Sequence, residues 1–307
     1  MPVHQTLQSE QPTEARTLPE PGAVLELFKP VTWFPPMWAF LCGAVSSGVA
    51  PSERWQVALL GVVVAGPLVC ATSQAVNDWY DREVDAINEP NRPIPSGRIP
   101  GRWGLGLALA WTGVSAAAGW FLGTWGFVAT VLALLLAWGY SAPPFRFKQN
   151  GWIGNLAVGI SYEGLAWVTG AAVLLGGQLP GAPILVVALL YSLGTHGIMT
   201  LNDFKAIEGD RRMGIRSLPA ALGPERAAWV AAGVMVAAQL AVLILMAPWG
   251  RPVHVLGIGI LLLIQIPMLH RFLQAPRERA LWYSGFGVPL FVAGMMFAAF
   301  ALRGMGS

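Results

Sequence analysis

The residues of this chain that could do chemistry fall in two short clusters. The first reads Asn77-Asp78-Trp79-Tyr80-Asp81-Arg82-Glu83-Val84-Asp85; the second places Asn202-Asp203 ahead of Glu208 and Asp210. On an α-helix each residue turns the side chain by about 100°. With Asp78 at zero, Asp81 falls near −60°, Asp85 near about −20° and Asn77 near about −100°, so three carboxylates and an amide share one face. Asp203 and Asp210, seven apart, would differ by only about 20° on one helix, with Asn202 beside them and Glu208 about 140° away from Asp203. Carboxylates stacked this way repel one another unless a cation neutralises them. Hard divalent ions take oxygen ligands, and Mg²⁺ combines one or two carboxylates with substrate phosphates. Basic residues lie close by in sequence: Arg82, Arg92, Arg146, Lys148, Lys205, Arg211 and Arg212. Arginine forks and lysine point charges match phosphate oxygens. The mixture suits a diphosphate bridged by metal ions. A single D-x-x-D would more simply be a solvated loop; two N-D clusters at equivalent helix ends argue against that.

The elements that must position these clusters are membrane helices. Of 307 residues, 55% are hydrophobic and 11% charged, against about 25% charged in a soluble domain. Mean hydropathy is +0.55. A span needs about 20 apolar residues, and apolar runs occupy 31–49, 55–77, 103–123, 125–141, 153–175, 183–203, 227–247, 253–269 and 282–302. The expected fold class is therefore all-α, a polytopic membrane protein with nine transmembrane helices. Residues 1–22 form an expected disordered tail, and Ala23–Lys29 a short interfacial helix, ahead of a single transmembrane domain over 23–307. With the N-terminus inside, sixteen of the nineteen Lys and Arg fall on the cytoplasmic side and only Arg54, Arg251 and Arg303 on the other, a strong positive-inside asymmetry. The C-terminus is then periplasmic. The net charge of +3 reflects loop composition, and no basic solvated face of the kind nucleic-acid readers need is visible. Cys42 and Cys70 sit in apolar runs and read as small core residues.

Longer stretches carry a resemblance. Asn77-Asp-x-x-Asp81-x-x-x-Asp85 followed by Asn91-Arg-Pro-Ile-Pro-Ser-Gly97, together with Asp203-x6-Asp210, resembles the two signatures of the UbiA-type intramembrane prenyltransferases. NDWYDREVDAINEPNRPIPSGRIPG, YSAPPFRFKQNGW and NDFKAIEGDRRMGIRSLP resemble its chlorophyll and bacteriochlorophyll synthase branch, and SYEGLAWVTGAA and THGIMTLNDF the purple-bacterial members. The resemblance implies nine helices around a central cavity, a cytoplasmic loop cap, and a bacterial inner (cytoplasmic or intracytoplasmic) membrane. It implies Mg²⁺-dependent transfer from geranylgeranyl or phytyl diphosphate to the 17-propionate of bacteriochlorophyllide. Asn77, Asp81 and Asp85 then correspond to the first metal site, with Asp78 beside it, and Asp203 and Asp210, flanked by Asn202, to the second; the five aspartates carry catalysis. Lys29, Arg146 and Lys148 fall where the family places diphosphate contacts, alongside Arg82, Arg92, Lys205 and Arg211. Ala206 stands where many quinone-pathway members carry Tyr, and Arg211 and Arg212 where they carry acids, which weakens an aromatic-ring acceptor. Chlorophyllide or a quinone precursor are the alternative acceptors, and other pigment-pathway proteins are candidate partners.

A propionate is ionised at neutral pH and is already a nucleophile, so no obligatory His or Cys is expected in the chemical step. Glu163 lies in the middle of an apolar run, where an acid is costly and by default functional; the simpler role is a structural hydrogen bond. His196, seven before Asp203, shares its face and is a candidate pigment contact, although an interhelical hydrogen bond would also explain it. Mid-run Trp111 and Trp167 read as packing. A transporter would hold its acids near the midplane on broken helices; here they sit at helix ends on one side. A cysteine placed beside Asp81 in an otherwise Cys-free chain is expected to react with a membrane-impermeant maleimide from the cytoplasmic face only; reaction from the periplasm would reverse the orientation.

Overall fold

The computed structural model describes residues 17–303 and 305, and among these every extended element is helical, with one isolated bridge between Asn150 and Arg216. The predicted tail lies mostly in residues 1–16, outside the described residues. Its last part is tied down: Glu20 donates its backbone N–H to Arg98 at 3.0 Å, and the Trp103 indole donates to the Thr17 carbonyl at 3.1 Å.

In chain order the helices are α1 Pro21–Leu27, α2 Phe34–Ser46, α3 Trp55–Asn88, α4 Trp103–Trp120, α5 Gly123–Ser141, α6 Gly151–Leu174, α7 Ala182–Asp203, α8 Ile207–Arg212, α9 Leu218–Leu222, α10 Pro224–Trp249, α11 Pro252–Gln274 and α12 Pro276–Leu302. A helix stands at each apolar run of the sequence. Seven of them, α3, α5, α6, α7, α10, α11 and α12, are long and apolar enough to cross a membrane, and α2 is a shorter apolar helix. Proline in the first turn starts α7, α10, α11 and α12, where its missing N–H costs nothing. Asn150 caps α6, its side chain accepting from the N–H groups of Trp152 and Ile153.

With little hydrophobic driving force between helices in lipid, close approach of small residues holds them. Gly43 of α2 and Gly170 of α6 make such a contact. A Cβ on Gly43 would come within 1.9 Å of the Trp167 carbonyl, and one on Gly170 within 2.0 Å of the Phe40 carbonyl. Polar glue acts elsewhere: the amides of Gln239 on α10 and Gln265 on α11 bond each other reciprocally, and the Tyr283 hydroxyl of α12 joins them. The mid-run tryptophans are explained here. The Trp167 indole donates to Ser46 of α2 and stacks on Tyr191 of α7. The Trp111 indole of α4 donates to the Pro67 carbonyl of α3 at 2.9 Å.

Two helices widen into π-turns, α3 at Val64–Cys70 and α6 at Ile160–Leu165. Pro67 lies inside the first, where its ring and missing N–H break the α-helical ladder. Gly159 and Gly164 flank or enter the second, both pressed against Ser192 of α7. Such turns are rare and concentrate at functional sites. Gly43→Ala is expected to destabilise the protein by about 1–3 kcal/mol through overpacking, whereas Gly106→Ala, whose Cβ meets nothing within 4 Å, should be neutral; thermal unfolding in detergent separates the two, and equal midpoints would refute the contact.

Candidate functional site

The 34 residues of α3 make a helix about 51 Å long, well beyond a hydrocarbon core of about 30 Å. Its final turns therefore project past the apolar segment, and these turns carry Asn77, Asp78, Asp81 and Asp85. Each of the three aspartates is met by a cation from elsewhere in the chain. Lys29, in the connection between α1 and α2, donates to Asp78 Oδ1 at 2.6 Å. Arg92, just beyond the end of α3, reaches Asp85 at 2.8 Å, Asp78 at 3.5 Å and Glu89 at 2.6 Å. Lys148, between α5 and α6, binds Asp81. Burial weakens the hold of the Lys148 ammonium on its proton, and the charge of Asp81 works against that. Arg146 sits close enough to Lys148 to repel it and has a buried Nε with no hydrogen-bond partner.

The backbone marks the same residues. Among the described residues only Lys29 (φ 45°) and Arg146 (φ 39°) adopt the left-handed region without being glycine. Such conformations cost energy and cluster at functional sites. Here Lys29 brings its cation to Asp78 at the end of α3, and Arg146 stands beside Lys148, which binds Asp81.

The second cluster departs from the single-helix expectation. α7 ends at Asp203, and a new short helix, α8, begins at Ile207, so Asp203 and Asp210 do not share a helical face. At the break the Phe204 ring packs edge-on against Phe272 of α11, a long-range contact that local spacing does not reveal. The chain nevertheless returns Asp210 to the site: the charges of Asp203, Asp81 and Asp210 all act on the Tyr140 hydroxyl at the end of α5. Asp203 accepts from Asn155 of α6 at 3.3 Å, and Asp210 accepts from the Ser217 hydroxyl. Burial makes the Asp210 carboxyl easier to protonate, which the Ser217 hydrogen bond partly offsets. Among the described residues neither Asp203 nor Asp210 makes an ion pair, unlike the acids of α3. Backbone bonds from Gly151 to Arg216 and from Arg216 to Gln149 tie the loop after α8 to the loop carrying Arg146 and Lys148.

Both clusters border the mouth of a cavity of about 540 Å³: Asn77 of the first and Asn202 and Asp203 of the second line it, whereas Asp78, Asp81, Asp85 and Asp210 do not. Asn77, Tyr140, Asn202, Asp203 and Lys205 line it near the surface, and Asn77 donates to Ser141. Apolar walls come from Leu136, Ala137, Ala157, Val158, Ile198 and Met199. Deeper lie Ser73, Gln74, Tyr162, Glu163 and Thr195. The π-turn of α6 brings three consecutive residues, Ser161, Tyr162 and Glu163, to one cavity wall.

Several of the expected site residues have other partners in the structure. Arg82 stacks on Trp79, donates to the Trp79 carbonyl and pairs with Glu83, turned away from the acids. Arg211 reaches the Ala220 carbonyl and Glu208 at the surface, and Glu208 also pairs with Arg277. Arg92 is occupied by three carboxylates and serves as their counter-ion. His196 does not line the cavity but packs on Trp152 of α6, ring centroids 5.4 Å apart. The residues of α7 that line the cavity are Thr195, Ile198, Met199, Asn202 and Asp203, and the His196 ring turns to Trp152 of α6 instead. Tyr140, Asn155 and Ser217 were not singled out from the sequence; their roles depend on contacts across 45 or more residues for Asn155 and on seven for Ser217.

Among the described residues no three carboxylate, imidazole or thiol groups converge on one point. The oxygen donors at the mouth therefore fit Mg²⁺ as a shared ion, held by one or two carboxylates and completed by phosphate oxygens, rather than an ion caged by protein alone.

Comparison with known proteins places this geometry. The profile of the UbiA prenyltransferase family matches residues 32–293. The chain is 58% identical over 290 residues to the bacteriochlorophyll synthase 33 kDa chain of Cereibacter sphaeroides, covering 94% of this chain and 96% of that one. It is 40% identical over 296 residues to the chloroplastic chlorophyll synthase of Oryza sativa subsp. japonica, covering 90% and 76%. The solved structure of a UbiA homolog from Archaeoglobus fulgidus bound to GPP and Mg²⁺ superposes with a TM-score of 0.66 at 22% identity over 92% of this chain and 99% of that one, a likeness of fold. Lys148→Ala is expected to lower turnover by about 10²–10³-fold, as loss of a preorganised electrostatic contact does, while Arg82→Ala and Arg211→Ala stay within about twofold, as surface changes do; steady-state kinetics on the three variants decides, and equal losses would remove the distinction.

Proposed function

Because the chain belongs to the UbiA prenyltransferase family, we propose that it transfers a geranylgeranyl or phytyl group from its diphosphate to the 17-propionate carboxylate of bacteriochlorophyllide. The observation that carries the reading is the cavity: acids and cations crowd one end, and apolar walls lead away from them. The 58% identity with a bacteriochlorophyll synthase, against 40% with a plant chlorophyll synthase, favours bacteriochlorophyllide as the acceptor. We further propose nine membrane-crossing helices around the cavity, with the N-terminus, the loops after α3, α5 and α7 and the site on the cytoplasmic side of a bacterial inner membrane, the C-terminus in the periplasm, and residues 23–307 as one domain.

The prenyl chain lies along the apolar wall, and its diphosphate stays at the mouth. Lys148, Arg146 and Lys205 meet the negative charge that grows on the leaving group as the carbon–oxygen bond breaks; fixed charges aimed at a developing charge stabilise a transition state most. Lys29 also becomes available to phosphate if it exchanges Asp78 for the ligand. Asn77, Asp81 and Asp85 on one side, and Asn202, Asp203 and Asp210 on the other, would hold Mg²⁺, which supplies Lewis-acid stabilisation of the departing diphosphate. The acceptor carboxylate is ionised at neutral pH and attacks the allylic carbon without a general base. The apolar walls keep water from competing for that carbon.

Purified protein with Mg²⁺, geranylgeranyl diphosphate and bacteriochlorophyllide is expected to give the esterified pigment. EDTA should abolish the product and excess Mg²⁺ restore it. Equal product with 4-hydroxybenzoate as acceptor, or full activity in EDTA, would overturn the reading.

A further inference from the structure

Below the charged mouth, the cavity holds a second polar patch that the transfer of an apolar chain does not require. Glu163 lines the cavity with 6% of its surface exposed, and its Oε2 has no hydrogen-bond partner among the described residues. Thr195 of α7 lines it too, 3% exposed, and its Oγ1 also lacks a partner. The Thr195 hydroxyl lies beside the Glu163 carboxyl, but too far for a full hydrogen bond, and Glu163 Oε2 and Thr195 Oγ1 are both left without a partner. Leaving such groups unpaired away from water is costly, and an acid inside a membrane helix marks function by default. Nearby, Cys70, Ser73 and Gln74 all bond the Tyr162 hydroxyl. Among the described residues that line the cavity, the buried polar side-chain atoms left without a partner belong to Glu163 and Thr195.

Depth limits what can use it. Thr195 stands eight residues before Asp203 on a continuous helix, which puts it about 12 Å below the mouth. The diphosphate stays with the charges above, and a prenyl chain carries no hydrogen-bonding group. A tetrapyrrole acceptor does: its rim bears carbonyl oxygens conjugated with the ring. With its propionate at the mouth, where the transferred carbon must be, the macrocycle spans a comparable length. Among the described residues Glu163 makes no ion pair, so its natural partner is a neutral acceptor atom.

We infer that Glu163, with Thr195 beside it, is a specificity-determining contact that hydrogen-bonds a rim carbonyl of the tetrapyrrole acceptor. The inference rests on the acceptor reading given above and adds to it the group recognised and the residues that recognise it. Hydrogen bonding lowers the stretching frequency of a conjugated carbonyl, so resonance Raman spectra of bacteriochlorophyllide bound to the full-length protein read the contact directly. The wild-type complex should show a downshifted carbonyl band. E163Q, isosteric and still a donor, should keep it; E163L should lose it and raise the KM for bacteriochlorophyllide about tenfold, the equivalent of one hydrogen bond, with the KM for geranylgeranyl diphosphate unchanged. T195V should weaken the downshift in part, and it decides the matter if E163L does not accumulate as folded protein. Bound pigment with all carbonyl bands unshifted in the wild type, or an E163L enzyme with an unchanged pigment KM, overturns the contact. Failure of the wild-type protein to bind bacteriochlorophyllide at all would instead overturn the acceptor reading.

Discussion

Three carboxylates within two turns of one helix, at the edge of a membrane, persist only if positive charge reaches them. In this chain it arrives from three separate connections: Lys29 ahead of α2, Arg92 after α3 and Lys148 between α5 and α6. Breaking any of these pairs leaves an unpaired charge in a poorly solvated place, a loss of about 3–5 kcal/mol when the pair is fully buried. Asp78 is 2% exposed and Asp85 6% exposed, so the constraint is strongest at Arg92, which serves both. The connections are thereby pinned over the end of α3. The left-handed backbone of Lys29 and of Arg146 fits the same picture, since strain persists where surrounding structure over-determines it.

The two acid clusters are electrostatically unlike. The acids of α3 are already neutralised by protein cations, whereas among the described residues the side chains of Asp203 and Asp210 hydrogen-bond neutral groups, Asn155 and Ser217, and make no ion pair. In the proposed reaction this asymmetry gives the incoming metal–diphosphate two kinds of contact. It displaces or shares cations on one side and supplies the missing positive charge on the other. Below this rim the helices give up regularity to make room. The π-turn of α6 sets Ser161, Tyr162 and Glu163 on the cavity wall, and the glycine contact between α2 and α6 holds those helices at backbone distance.

Much of the architecture is legible in the sequence because it rests on local pattern. Apolar runs name the helices, and the spacing of Asn77, Asp81 and Asp85 places them on one face because α3 continues unbroken to Asn88. The same argument fails for Asp203 and Asp210, since α7 ends at Asp203 and a separate helix begins at Ile207. Nor does proximity in sequence tell which cations face the acids. Arg82 lies one residue from Asp81 yet points to Trp79 and Glu83, while Lys148, 67 residues away, binds Asp81. Glu163 was noticeable as an acid in an apolar run, but its direction depends on a π-turn that composition does not announce. His196 shares the azimuth of Asp203, yet its ring packs on Trp152 of α6 while Asp203 lines the cavity.

The central claim is that a diphosphate is gripped between the two acid clusters through Mg²⁺ and not by the basic residues alone. Isothermal titration of the detergent-solubilised protein with inorganic pyrophosphate, with and without Mg²⁺, tests it without relying on turnover. Binding should require Mg²⁺ in the wild type and vanish in Asp81→Asn/Asp203→Asn, whose added amides preserve shape but remove both charges; equal binding in EDTA, or undiminished Mg²⁺-dependent binding by the double variant, would contradict it.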